Sequence, residues 1–209
     1  VGGIITKLSL RLLSLVIISC IFVFGCTPDH PQSTFNVAGP VAASQLTLFY
    51  WIFAVAVFVF IVVVGILLWA VFKYRRKLGD KDPVQIHGNT KLEIAWTLLP
   101  AIILVFVAVP TVITIFDNAN SPCTYEEGCL EVTVEAVQWF WNFKYKDPSN
   151  PNLEVTTSNE MHIPVGEVVN IKLTSRDVLH SFWIPNIAGK LDIVPNHTNT
   201  LWIQSDIEG

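Results

Sequence analysis

LTLFYWIFAVAVFVFIVVVGILLWAVF, Leu46 to Phe72, contains no charged residue and no proline. A helix needs about 20 apolar residues to cross a hydrocarbon core of about 30 Å, so this stretch is long enough to span a bilayer. The whole chain leans the same way. Of its 209 residues, 52% are hydrophobic and 14% charged, and the mean hydropathy is +0.51. An ordinary soluble domain is less apolar. A second uncharged stretch, Ile94 to Phe116, is also long enough to span. It contains Pro100 and Pro110, which a membrane helix packed against neighbours tolerates better than a lone soluble one.

The connection between the two stretches carries Lys73, Arg75, Arg76, Lys77, Lys81 and Lys91 against Asp80 and Asp82. Excess positive charge in a short loop marks the cytoplasmic side. The two helices are therefore expected to form a hairpin in the membrane, with its turn inside and everything from Asp117 onward outside. Upstream, Lys7 and Arg11 precede a shorter apolar run, Leu12 to Phe24, which ends in Gly25-Cys26. A charged start, a short apolar middle and a small residue at the end describe a secretory signal. Gly25-Cys26 resembles a bacterial lipobox, in which Cys26 is acylated and the chain is cut before it. The alternative is a third, short membrane helix. The expected organisation is a lipoprotein-type signal over residues 1–25 and an outer segment over 26–45. The transmembrane hairpin then covers 46–116 and an outer domain 117–209.

The outer region is acidic, with thirteen Asp and Glu against Lys144, Lys146, Lys172, Arg176 and Lys190. That balance argues against a nucleic-acid partner. It suits either a solvated face or docking of a basic protein. Cys123 and Cys129 flank a short acidic loop; in an oxidising compartment a disulfide is the default expectation. From Leu130 the periodicity changes from helix to strand. Val132 and Val134 share one phase, then Val137, Trp139, Trp141, Phe143 and Tyr145 share the other. A one-residue shift within a strand predicts a β-bulge near Ala136 and puts Trp139 on the same face as Trp141. Met161–Val165, Val169–Leu173 and Thr200–Gln204 read as further strands, and short strands between turn residues suggest a β-sandwich. No P-loop, hydrolase nucleophile motif or internal repeat is present.

His180 stands out within Asp177-Val178-Leu179-His180-Ser181-Phe182-Trp183-Ile184-Pro185. It could be a packed, hydrogen-bonded histidine, a general base, or one arm of a metal site. In small β-sandwiches His with Cys and a weak Met is a copper pattern. This chain has a single Met, Met161, and no free outer cysteine in a plausible position.

That segment does not stand alone. Leu92-Glu93-Ile94-Ala95-Trp96-Thr97-Leu98-Leu99-Pro100 opens the second helix, and Val137-Gln138-Trp139-Phe140-Trp141 and Ile163-Pro164-Val165-Gly166 follow. Gly189-Lys190-Leu191-Asp192-Ile193-Val194-Pro195 comes after the histidine. Together, in this order, they resemble subunit II of the haem–copper cytochrome c oxidases, from about Gln45 to the last residue. The resemblance implies a transmembrane helical hairpin followed by a cupredoxin-like all-β domain that holds a dinuclear copper centre, CuA. It implies electron acceptance from cytochrome c, or from a cytochrome c domain, and delivery to haem in subunit I, where oxygen is reduced. Subunit I and other oxidase subunits are the implied partners.

By this resemblance His180 is a capping copper ligand and Trp139 is the point where electrons enter from cytochrome c. Two bridging cysteines, a second histidine and a methionine belong to a later loop in the family, and the chain is expected to continue past Gly209 to supply them. The quinol oxidases, a sister branch with the same fold, lack copper here and lose the histidine at this position. Retention of His180 therefore favours the cytochrome c branch. The copper-free quinol oxidase subunit is the alternative. Asn196-His197 departs from the family's usual Gly-Arg, so no interface role is carried over to it. His30, His87 and His162 read as loop or surface residues.

Glu93 has two expected roles. Thr90-Lys91-Leu92-Glu93 is a capping-box pattern, with Thr90 as the cap. The resemblance adds a position at the cytoplasmic mouth of a proton pathway into subunit I.

Overall fold

The computed structural model describes residues 32–76, 87–150 and 152–209, with isolated positions 13, 14, 17, 30, 79 and 85. Cys26 and all but three positions of the expected signal segment lie outside the described residues. Among the described residues two long helices precede the strands: α1, Pro40–Lys73, and α2, Thr90–Ala119, both long and apolar enough to cross a membrane. At 1.5 Å per residue α1 is roughly 51 Å long, which exceeds the hydrocarbon core. The excess is used at its N-terminal end, where Val41 and Ala42 are buried. There the Ala38 and Ala42 amides donate to the Asn186 and Ile187 carbonyls at 2.6 and 3.1 Å, and the Asp206 amide donates to Ala38 at 2.7 Å.

The start of α2 corrects one expectation. Asn89, not Thr90, is the cap: its side-chain oxygen accepts from the Lys91 and Leu92 amides at 3.1 and 3.4 Å. Thr90 is the first helical residue, and an Asn in extended conformation just before it meets the capping requirement. At the other end, the Asn118 side chain and the Ser44 hydroxyl of α1 lie within 3.0 Å of each other, and the Asn118 carbonyl accepts from the Trp202 indole at 3.0 Å. Both helices are thus fastened to the β domain at the same end.

Among the described residues the strands are β1 Leu130–Val137, β2 Phe140–Lys146, β3 Glu154–Ser158, β4 Val169–Ser175, β5 His180–Phe182, β6 Leu191–Ile193 and β7 Asn199–Ile203. Five form one sheet in the order β3-β2-β1-β4-β7, and β5-β6 form a second. All pairs are antiparallel except β1 with β4. Val132, Val134 and Ala136 of β1 and Val169, Ile171 and Leu173 of β4 turn one face inward. Phe182 and Ile193 of the small sheet pack onto the same core, giving the two-layered β domain that the strand periodicity implies.

The expected bulge near Ala136 is absent. A hairpin stands in its place: β1 and β2 are separate strands joined by Gln138-Trp139, with Val137 paired to Phe140 and Ala136 to Trp141. Side chains at even positions of β1 and odd positions of β2 therefore face the core together, which explains the phase flip. Met161–Val165 is also not a strand; only Val165 makes an isolated bridge, to Ser205. Met161 and Ile163 still pack against the core.

The outer face of the large sheet is charged. Glu131 pairs with Lys172 at 2.7 Å, and Glu135 with Arg176 at 2.6 Å and Lys144 at 3.5 Å. Burial pushes the Glu135 carboxyl up, but hydrogen bonds from Arg176 and Asn142, with the Lys144 charge, outweigh it and hold it below its ordinary value of 4.5. The unfolded chain then binds more protons than the folded one as pH drops past 4.5, so this contribution is present above that value and lost below it. Glu135→Gln is expected to cost about 1.5 kcal/mol at neutral pH. The gap to the unsubstituted protein should close as melting is followed to more acid pH.

Candidate electron-transfer site

The β1–β2 turn projects Trp139 almost wholly into solvent, at 90% exposure. This corrects the expectation that Trp139 shares the face of Trp141: Trp141 lies against the core and Trp139 stands at the hairpin tip. Beside the tip runs the segment entering β5, with Leu179 at 68% exposure and Val178 also exposed. Trp139, Phe140, Val178, Leu179 and His180 line a shared cleft of about 330 Å³. Several large apolar side chains exposed together mark a contact surface more often than one scattered residue does.

His180 is mostly buried, with 17% of its side chain accessible. Its ring lies edge-on to Trp141 at 5.9 Å, and Trp141 in turn contacts Phe182 at 5.8 Å. Nε2 lies 2.8 Å from Oδ1 of Asp177. An ionised carboxylate only accepts, so Nε2 carries the proton and a neutral ring keeps its lone pair on Nδ1. Asp177 does more than orient this ring. Its Oδ2 accepts from the Gln138 amide at 2.7 Å, and its Oδ1 also accepts from the Val178 amide at 2.7 Å. The Gln138 amide, then His180, hold the Asp177 carboxyl far below the usual carboxylate range. Asp177 and Gln138 do not stand out in the sequence; the one available signal is an acidic residue three positions before the histidine.

Among the described residues no group of three or more His, Cys, Asp and Glu side chains could hold a metal ion. Cys123 and Cys129 are joined as a disulfide, with the Cys123 carbonyl accepting from the Asn170 side chain at 2.9 Å. His180 offers imidazole, but among the described residues no thiolate faces it. These residues alone do not fit a thiolate-bridged copper pair.

Glu93 lies far along the chain from this cleft, in the exposed first turn of α2, and its amide donates to the Asn89 carbonyl at 2.9 Å. Its carboxylate occupies the space beside Gly88. His162 is exposed, 3.8 Å from Glu160, and is not part of the cleft.

Residues 28–113 match the cytochrome C oxidase subunit II transmembrane domain, and residues 130–209 match the periplasmic domain of the same subunit. The chain belongs to the cytochrome c oxidase subunit II family. Its helical hairpin and cupredoxin-like β domain are those of the family.

Cytochrome c oxidase subunit 2 of Alkalihalophilus pseudofirmus is 38% identical over 90% of this chain and 55% of its own length. Quinol oxidase subunit 2 of Bacillus cereus is 31% identical over 90% of this chain and 64% of its own. The chain therefore spans about half the length of the curated cytochrome c oxidase relatives it matches, 55% in each of the first two. Among solved structures, the periplasmic domain of subunit II of cytochrome oxidase from Bradyrhizobium japonicum is 27% identical. That match covers 39% of this chain and 67% of the other, with a TM-score of 0.34.

Proposed function

We propose that this chain is the electron-accepting subunit II of a cytochrome c oxidase, that cytochrome c docks on the Trp139 patch, and that electrons enter there. The supporting observation is the placement of an exposed indole, Trp139, at a hairpin tip that shares a cleft with the mostly buried imidazole of His180. Aromatic rings suit contact surfaces because they offer large area at low conformational cost. His180 is one copper donor in this reading; the thiolates that CuA requires are not supplied by the described residues. The proposed orientation places the β domain on the outer face, Cys26 as a lipid attachment site and the α1–α2 connection in the cytoplasm.

The relatives carry both subunit names, so a second reading has direct support: a copper-free subunit of a quinol oxidase. The two separate cleanly when the assembled oxidase is given each donor. Oxidation of reduced cytochrome c with no quinol turnover is the expected result. Quinol turnover without cytochrome c oxidation would favour the second reading and remove the role of Trp139.

Glu93 is proposed as the mouth of a proton pathway, an exposed carboxylate at the membrane boundary. Because Asn89 provides the cap, Glu93→Gln leaves the helix start intact. It is expected to slow proton uptake during haem reduction while melting stays unchanged. Uptake at the original rate would leave Glu93 with a structural role only.

A further inference from the structure

We infer that Asp177 is a positioning residue that pins the Gln138-Trp139 turn against the segment leading to His180. The inference rests on the reading of Trp139 as the place where electrons enter. A two-residue turn between strands has few contacts of its own, and its tip is normally the most mobile part of a hairpin. Here one carboxylate bridges it to the neighbouring loop. Asp177 Oδ2 accepts from the Gln138 amide at 2.7 Å, while Oδ1 accepts from the Val178 amide at 2.7 Å and meets His180 Nε2 at 2.8 Å. The Ser175 hydroxyl adds a fourth contact at 3.3 Å. The loop side is itself held, since Ser175 donates to the Val178 carbonyl at 2.6 Å and the Arg176 amide donates to Ala136 at 3.2 Å. The carboxylate therefore couples the residue before Trp139 to the ring of His180 through a single side chain. Charge-assisted bonds of this kind are shorter and stronger than neutral ones.

A positioning role predicts effects that a surface charge would not produce. In the assembled oxidase, Asp177→Ala is expected to speed hydrogen exchange at the Gln138 amide about tenfold, the equivalent of losing ~1.4 kcal/mol of local protection. It is also expected to lower kcat/KM for reduced cytochrome c about tenfold, with a loss that persists at high ionic strength, where docking charges are screened. In a Trp139→Ala background the same substitution should cost less in transfer than it does alone, because one of the two elements it positions is gone while His180 remains. Asp177→Asn has the same shape and covers the case in which the alanine variant does not assemble. Unchanged exchange at Gln138 overturns the inference. So does a transfer loss that disappears at high salt, since that marks a docking charge. Faster exchange with normal transfer also overturns it. In that event the Trp139→Ala variant alone decides whether the reading of Trp139 falls too.

Discussion

Trp139→Ala is expected to lower kcat/KM for reduced cytochrome c by about thirtyfold or more, the ~2 kcal/mol or larger cost of truncating an interface anchor. Stability should barely change. The indole is 90% exposed and outside the core, so its removal leaves no cavity, and surface changes of that kind stay within about 0.5 kcal/mol. The two measurements must be made together. A fall in transfer with an unaltered melting temperature isolates the ring itself. Trp139→Phe should lie between, because it keeps an aromatic face of smaller area. Oxygen uptake driven by a small artificial reductant, which needs no docking surface, should be largely preserved in both variants. Undiminished cytochrome c oxidation in Trp139→Ala would show that electrons enter elsewhere.

Around Trp139 sequence periodicity stops being informative. Trp141, Phe143 and Tyr145 face Ala136, Val134 and Val132 across the hairpin, so alternation places each of these apolar residues in a strand, as the structure does. What alternation misplaces is the turn. Two-residue hairpin turns usually announce themselves through Gly, Asn or Asp, and Gln138-Trp139 carries none of these. The pattern runs on without a visible break, and an even-to-odd change of phase resembles a bulge. β3 escapes sequence reading on different grounds. It is a polar edge strand, Glu154–Ser158, exposed along nearly its whole length, and an edge strand need not alternate.

The membrane helices are legible because an uncharged apolar run of that length has little use outside a bilayer. β4 is legible because Val169, Ile171 and Leu173 alternate with polar residues. His180 is legible as a candidate. Its partner is not, because the link runs through a turn in which Asp177 reaches backward to Gln138 as well as forward to His180. A contact spanning 39 residues leaves no trace in local pattern.

The second large effect concerns how the β domain is held on its helices. Gly39→Ala is expected to destabilise the protein by about 3 kcal/mol, the upper part of the range for forcing extra atoms into a packed site. Backbone conformation is not the reason, since Gly39 is extended, at φ −160° and ψ 163°. Space is the reason. A methyl group there would collide with the Gln204 carbonyl and lie 3.2 Å from that of Ile187. Neither can yield cheaply. The Ile187 carbonyl accepts from Ala42, and Gln204 lies between β7 and the Asp206 amide that bonds to Ala38. The start of α1 would have to lift away, drawing Val41 out of the core. Gly65, in the same helix, supplies the control: a methyl group there meets nothing within 4 Å. Gly65→Ala should be neutral or stabilising by up to ~1 kcal/mol, because alanine favours helix. Opposite effects of one substitution on one helix would separate the loss of fit from any general intolerance of the helix. Thermal unfolding of both variants in the same detergent measures the difference. Equal melting temperatures would mean that the β domain is not clamped at Gly39, and that the fixed relation between the membrane helices and the Trp139 site needs another source.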